Sequence, residues 1–369
     1  MPATRVLRFG NGSVRVETDA PGDLGWLAEC LTPQFCIAHD GRHDAVVTLS
    51  RDGRRHRELL ARGPAPEGAR VVCFALDSRT VSHPRWGDPD GTSTAFDEEY
   101  RVFYVIDGRR VDIVADRASP WLRVALLRVV REIIMARCAR DGWLAVHGAA
   151  AIAGGRAVVI AGPKHAGKTS LLVHALTHPG VALAANDRVM VADGEDPISV
   201  RGMPTLVKVR AGTTRLFPRP FATWNGHPDR ACLTIEEAAR DVRPSGGPDA
   251  PLLLSPAQFA AAFGKPQVPA APLHALVFPR LDGEGDALEV TDLAAPEAER
   301  RLQAALFRAG CEPPEDQAFA FGAAATGTAG LAARCRRLAE RVRCVECRLG
   351  PAAYAGDPEA KRFVEAVFA

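Results

Sequence analysis

The chain has 369 residues and a net charge of +2, with 46 lysines and arginines against 44 acidic residues. This balance predicts no nucleic-acid partner, because a polyanion is bound by a strongly basic surface. No apolar run reaches the length of a bilayer crossing, and the first residues contain no apolar signal segment. We therefore expect a cytoplasmic protein with no membrane partner. The nine cysteines are scattered, which indicates reduced thiols.

Residues 1–118 predict a smaller, mostly-β domain of α+β character. Its clearest feature is a hairpin of Arg101–Ile106 and Arg109–Ala115 around Asp107-Gly108, because Asp-Gly favours a tight two-residue loop. Further strands are predicted at Thr4–Phe9, Ser13–Thr18, Ala45–Ser50 and Arg70–Leu76. No catalytic group of residues is evident here, which leaves packing or substrate recognition as the role of this domain.

Residues 119–369 predict an α/β domain with a mixed central sheet, entered through a helix. Ser119 is the expected N-cap and Pro120 the first helical residue. Apolar residues recur at helical spacing from Trp121 to Ile134. The arginines of this helix predict a solvated face; they are Arg123, Arg128, Arg131 and Arg137.

Two strands, Leu144–Ile152 and Arg156–Ala161, flank Ala153-Gly154-Gly155 and predict a second hairpin. Its register would place His147 across from Gly162 or Ala161, at the base of the next loop. A core histidine held by backbone groups fits the same spacing equally well, and a bulge would break the register.

The next loop reads Gly162-Pro163-Lys164-His165-Ala166-Gly167-Lys168-Thr169-Ser170 and matches the phosphate-binding pattern, two glycines with four residues between them followed by Lys and Ser/Thr. All of this loop is predicted to contact nucleotide, because its glycines let backbone N–H groups turn toward phosphate oxygens. Lys168 can reach the β- and γ-phosphates, and the Thr169 hydroxyl can bind Mg²⁺. A strand precedes the loop and a helix-compatible segment follows it, as the motif requires. The alternative is a glycine-rich turn in an α/β core.

The segment Val181–Asp187 predicts a buried strand that ends in an acid. In a parallel unit its carboxyl end would lie beside the phosphate loop, where Asp187 could bind Mg²⁺ or act on an incoming nucleophile. The alternative is a turn aspartate that caps a loop.

Residues 243–272 are rich in Pro, Gly and Ala and predict a linker or lid, with a short helix at Ser255–Phe263. The remaining predicted elements are a strand at Leu273–Pro279, helices at Pro296–Ala309 and Gly330–Val342, and a strand near 344–349. The Cys344-Val345-Glu346-Cys347 segment has no second CxxC, so packed or surface thiols are favoured over a zinc or redox pair.

Four features together resemble the catalytic domain of HPr kinase/phosphorylase and its shorter relatives. They are His147-Gly148, the strand into Gly162–Ser170, the strand into Asn186-Asp187, and Arg201-Gly202. Their order and spacing match over roughly residues 140–215. The helix before His147-Gly148 is similar to that of short relatives, some of which phosphorylate serines of ribosomally made peptides.

The resemblance implies a P-loop kinase fold with ATP as phosphoryl donor and Mg²⁺ as cofactor. Gly162, Gly167, Lys168 and Thr169 would hold the phosphates and the metal. Asp187 would accept the proton of the attacking hydroxyl, and His147 would assist beside the phosphates. A homo-oligomer is also implied, because the full-length relatives are oligomers.

Two positions depart from the family pattern. Asn186 stands where the family has the first acid of an Asp-Asp pair, and the loss of that charge should lower the pKa of Asp187, leaving it ionised but a weaker base. Ser199 stands where full-length enzymes carry a Glu that helps the metal, which puts their reverse, phosphorolytic reaction in doubt. The first 118 residues do not resemble the usual N-terminal domain of those enzymes.

The sequence thus predicts an ATP-dependent kinase acting on a hydroxyl, with Ser or Thr of a peptide or protein as the favoured acceptor. Two alternatives stay open. One is a small-molecule hydroxyl kinase, and the other is a nucleotide-binding regulatory protein without transfer activity.

Overall fold

The computed structural model describes residues 2–39, 41–63, 65, 70–74, 80–119, 121–163, 165–222, 252–281, 288–307, 319, 328–350 and 357–368. These residues form an α/β protein with mixed, multi-stranded sheets, which confirms the predicted class. They fall into two compact units that divide between Asp141 and Gly142, with Phe319 in the first. The division lies after the long helix predicted to open the second domain, so this helix belongs to the first unit.

The described part of the first unit contains a large sheet and three helices. Its strands are β1 Ala3–Phe9, β2 Gly12–Thr18, β3 Cys36–Ala38, β4 Ala45–Ser50, β5 Arg70–Phe74, β6 Thr80–Gly87, β7 Ser93–Asp97, β8 Val102–Asp107 and β9 Arg110–Ala115. Its helices are α1 Pro21–Leu31, α2 Gly53–Leu60 and α3 Leu122–Arg140. The sheet order is β3-β1-β2-β4-β9-β8-β7-β6-β5, with β4 parallel to both β2 and β9.

The hairpin of β8 and β9 turns one residue later than the sequence predicts. Asp107 pairs with Arg110, so the two-residue loop is Gly108-Arg109 rather than Asp107-Gly108. Gly108 has a φ of 53°, and this left-handed conformation is what a tight hairpin loop demands of its first residue.

Helix α3 corrects two predictions. Ser119 is not its N-cap, because the Ser119 hydroxyl donates to Arg101 O at 2.8 Å while Trp121 occupies the cap position. The arginine face is not solvated throughout, because Arg128 and Arg131 are buried. The helix packs against α1 and against strands of the sheet, so little of its circumference is left for water.

The described part of the second unit has strands β10 Leu144–Ala153, β11 Arg156–Ala161, β12 Val181–Ala185, β13 Arg188–Ala192, β14 Ser199–Met203, β15 Val207–Val209, β16 Leu252–Leu254, β17 Ala270–Leu281, β18 Leu288–Asp292 and β19 Arg343–Leu349. Its helices are α4 Lys168–Thr177, α5 Ala211–Leu216, α6 Pro218–Phe221, α7 Pro256–Ala262, α8 Ala295–Ala304, α9 Thr328–Arg341 and α10 Asp357–Phe368. The main sheet runs β11-β10-β13-β14-β17-β19-β18, and β12 pairs with β10. Strand β11 also pairs in parallel with β17.

Strand β10 is the frame on which the candidate site is built. Residues 148–153 pair with β11 across the loop Gly154-Gly155. The opposite edge of β10 pairs with β13 through residues 144–147 and with β12 through residues 150–153. The stretch between β12 and β13 therefore lies opposite the middle of β10.

The prediction that β12 belongs to a parallel unit is wrong, because β12 pairs antiparallel with β10. Strand β11 is also antiparallel to β10, so β11 and β12 point the same way with β10 between them. Their carboxyl ends consequently share one edge. Asp187 therefore lies near the phosphate loop, as expected, because both follow strands that end at this edge.

Two apolar cores cover the two faces of the second unit's sheet. Val158 and Ile160 of β11 pack into the core that contains α4 and α10, and Val159 packs into the core that contains α8 and α9. The thiols of β19 divide in the same way, with Cys347 in the first core and Cys344 in the second. Burial raises the pKa of Cys347 to about 12 and that of Cys344 to about 11. The CxxC segment therefore contributes packed thiols.

The described part of the predicted linker or lid, residues 252–272, is packed. It contains β16, α7 and the start of β17, and Leu254 and Phe259 are fully buried. A capping box at Ser255 and Gln258 fixes the start of α7. Residues 243–251 lie outside the described residues. None of the helices in the described ranges combines the length and apolar composition needed to cross a bilayer.

Candidate functional site

The phosphate loop, residues 162–170, joins β11 to α4 in the strand–loop–helix arrangement that the sequence predicts. Gly167 stands at the start of α4 with a φ of 98°, a conformation that favours glycine. In the described part of the chain no side chain caps this helix, so its first N–H groups form the kind of site that binds anions. Lys164 lies outside the described residues.

Lys168 lies buried beneath the loop, with its Nζ donating to Gly162 O and Pro163 O at 2.9 Å each. Burial lowers the pKa of Lys168 to about 8, although the charge of Asp187 acts in the opposite direction. A buried ammonium is stabilised by a nearby anion, so the loop residues fit an anionic nucleotide tail.

His147 and Asp187, predicted separately beside the loop, contact each other. His147 Nε2 lies 3.2 Å from Asp187 Oδ1, and both side chains are about one-fifth exposed, at 20% and 23%. A backbone hydrogen bond joins the same two segments, because Gly148 N donates to Asp187 O at 2.9 Å. His147 Nε2 thus contacts a carboxylate rather than a backbone group, which differs from the alternative of a core histidine held by backbone groups.

The electrostatic surroundings keep Asp187 ionised. Burial would raise the pKa of Asp187, but the hydrogen bond from His147 and the charges of Arg188, His147 and Lys168 outweigh it, so the pKa is lowered. The pKa of Asp187 is lowered by these neighbouring charges and by the hydrogen bond, so the effect expected from Asn186 stays a prediction.

Asn186 itself turns toward a buried threonine. Asn186 Nδ2 lies 2.9 Å from Thr205 Oγ1, and the same hydroxyl lies 3.2 Å from Asn186 Oδ1. The amide can both donate and accept here, which a carboxylate cannot. Asn186 thus fixes the backbone immediately before Asp187.

Ser199 is not brought to the site. It pairs with Ala192, at the end of β13 that lies away from Asp187. Arg201, between the two ends of β14, instead places its guanidinium carbon 5.9 Å over the Trp143 ring.

Two glycines of the site are explained by close backbone approaches. A Cβ on Gly148 would lie 2.8 Å from Ile160 O, and one on Gly202 would lie 1.8 Å from Ala184 O. The β10–β12 register skips Ala184, so a bulge there directs its carbonyl at β14. The glycine of the His-Gly dipeptide thus lets β10 approach β11 closely, and the glycine of the Arg-Gly dipeptide lets β14 approach β12.

Sequence reasoning missed two neighbours of this pair, Arg188 and Phe307. The Phe307 ring lies 5.3 Å from the His147 ring, and the Arg188 guanidinium carbon lies 4.8 Å over the same phenyl ring. Phe307 N donates to Ala145 O at 2.8 Å, which fixes the ring beside β10. Phe307 is far from His147 in sequence, so no sequence pattern indicated their contact. Arg188 could have been found, because it follows Asp187 directly.

The described residues contain no group of three or more His, Cys, Asp or Glu side chains arranged to hold a metal. A Mg²⁺ ion here would need oxygens of the nucleotide in addition to Thr169 and Asp187. A scan against protein-family models finds no match, and a search of the curated proteins finds none either. Residue geometry is therefore what supports a function for this chain.

Proposed function

We propose that this chain is an ATP-dependent kinase that transfers the γ-phosphoryl group to a hydroxyl. The favoured acceptor is a Ser or Thr of a peptide or protein. The observation that carries the proposal is the contact of His147 Nε2 with Asp187 Oδ1 at 3.2 Å, at the sheet edge where the strand before the phosphate loop also ends. The resemblance of these residues to the catalytic domain of HPr kinase/phosphorylase supports the same reaction.

The chain's own residues supply binding, charge and proton acceptance. Lys168 and the first turn of α4 bind the phosphate oxygens, and Asp187 orients the acceptor hydroxyl. The acceptor oxygen bonds to the γ-phosphorus as the bond from phosphorus to the β–γ bridging oxygen breaks. ADP leaves, and the hydroxyl proton goes to Asp187. A lowered pKa suits this role, because transfer through a loose transition state needs orientation more than a strong base.

Thr169 and Asp187 are the residues that would hold Mg²⁺ together with the nucleotide. When bound, Mg²⁺ supplies charge neutralisation of the phosphates. The first compact unit, with its large sheet, is proposed to take part in acceptor recognition.

The test is incubation of the purified protein with γ-labelled ATP and Mg²⁺, in parallel with Ser/Thr peptides and with a panel of small hydroxyl metabolites. Label on a peptide supports the proposal as stated. Label confined to a metabolite would replace the acceptor class. ATP binding without transfer to any acceptor would support the alternative of a regulatory protein. The presence of Asn186, where the family has an acid, is the feature that favours this alternative. Lys168→Ala is the control for contaminating kinases.

A further inference from the structure

Arg188 is a buried charge next to the site that the proposed reaction has not used. It begins β13, and its side chain is fully buried. A guanidinium does not lose its proton in a protein, so burial is costly unless an anion lies close. Arg188 Nε lies 3.9 Å from Asp187 Oδ2, which is an ion pair rather than a hydrogen bond.

The place of Arg188 is fixed from two sides. Its backbone pairs with His147 on β10 and with Met203 on β14. Its guanidinium carbon lies 4.8 Å over the Phe307 ring, an arrangement that favours a cation. The charge therefore has little freedom to move away from Asp187.

The two oxygens of Asp187 are divided between two neighbours. His147 Nε2 lies 3.2 Å from Oδ1, and Arg188 Nε lies 3.9 Å from Oδ2. His147 and Arg188 are direct cross-strand partners, so they approach the carboxylate from adjacent strands. Contacts at both oxygens define the rotation of the carboxylate, which one contact alone does not.

We propose that Arg188 is a positioning residue, which holds the Asp187 carboxylate in one orientation from its seat on Phe307. The inference rests on the proposed function, because it concerns the same acid. A misoriented carboxylate costs rate without costing nucleotide affinity, since phosphate binding belongs to the loop and α4. Arg188 thus acts on kcat through Asp187.

Arg188→Met and Arg188→Lys test this role. Methionine keeps much of the volume without the charge, and we expect kcat to fall by about 10- to 100-fold while the KM for ATP changes by less than about threefold. Lysine keeps the charge and should recover part of kcat. In an Asp187→Asn background, Arg188→Met should cost no further rate, because its effect passes through the missing carboxylate.

The chain offers a matched control in Arg128. This second buried arginine lies 4.3 Å over the Tyr100 ring and pairs with Asp97 at 2.7 Å. Arg128→Met should lower the thermal midpoint while leaving the kcat of the folded protein within about twofold. A folded Arg188→Met with wild-type kcat, or rate losses that multiply in the double variant, would overturn the positioning role.

The failure of the proposed function would show separately, as a wild-type protein that phosphorylates no acceptor. In that case the contact of Arg188 with Asp187 can still be measured from the thermal midpoints of Arg188→Met, Asp187→Asn and the double variant. Non-additive shifts support the positioning of Asp187 by Arg188, and additive shifts contradict it.

Discussion

Neighbouring side chains, rather than exposure to solvent, stabilise the ionised form of Asp187. A hydrogen bond from His147 and the charges of Arg188 and Lys168 overcome the cost of burial. Such an acid is better suited to orienting a hydroxyl than to pulling a proton from it. The contact from His147 should therefore matter through the orientation of Asp187.

His147→Gln tests this contact. Glutamine can still donate a hydrogen bond but lacks the rigid ring of the imidazole, so we expect kcat to fall by about tenfold. Nucleotide affinity should stay within about threefold, because the phosphate loop is unchanged. Steady-state kinetics and calorimetric binding of ADP would measure the two separately. An unchanged kcat would show that His147 does not contribute to the reaction.

The lowered pKa of Lys168 predicts that nucleotide binding is coupled to proton uptake. Its pKa is about 8 here, below the ordinary value, so the charged form is disfavoured until an anion binds. Nucleotide binding at pH 8.5 should therefore take up about three-quarters of a proton, and affinity should decline as pH rises above about 8. Titration calorimetry in buffers of different ionisation enthalpy measures the uptake. Lys168→Arg is the control, because arginine does not titrate there.

At the scale of elements, the phosphate loop was the most predictable part of the chain. Its strand, glycines and helix are adjacent in sequence, and β11 has the predicted bounds Arg156–Ala161. The contact of His147 with Asp187 was less predictable, because it depends on how β12 and β13 share one edge of β10. Phe307 could not be predicted at all, since contacts between residues far apart in sequence bring it near, among them the bridge of Val146 with Leu306 and the hydrogen bond from Phe307 N to Ala145 O.

The close approach at Gly202 yields a prediction for β14. Gly202→Ala would place a Cβ 1.8 Å from Ala184 O, so β12 and the segment that leads to Asp187 must shift. We expect a loss of roughly 2–4 kcal/mol in the free energy of unfolding, measured in urea. Gly194→Ala is the matched control, because its added Cβ would meet nothing within 4 Å, and it should cost less than about 0.5 kcal/mol. Equal stability of the two variants would contradict the packing.

At the scale of the whole molecule, nucleotide should stabilise the fold. A ligand at 100 times its Kd adds about 2.7 kcal/mol to the free energy of unfolding, provided that it binds only the native state. ATP with Mg²⁺ should therefore raise the thermal midpoint of the full chain by several degrees. Lys168→Met should abolish most of this rise. A midpoint that is insensitive to ATP would exclude a nucleotide site on the phosphate loop.

The most direct measurement of the proposed function is single-turnover transfer from γ-labelled ATP to a Ser/Thr acceptor by the wild-type chain and Asp187→Asn, each saturated with nucleotide. We predict that the variant binds ATP within about threefold of wild type but transfers at roughly 1% of its rate or less. Transfer by Asp187→Asn at the wild-type rate would contradict the role of Asp187. Saturation of the wild-type chain with ATP and no labelled product would contradict the kinase itself.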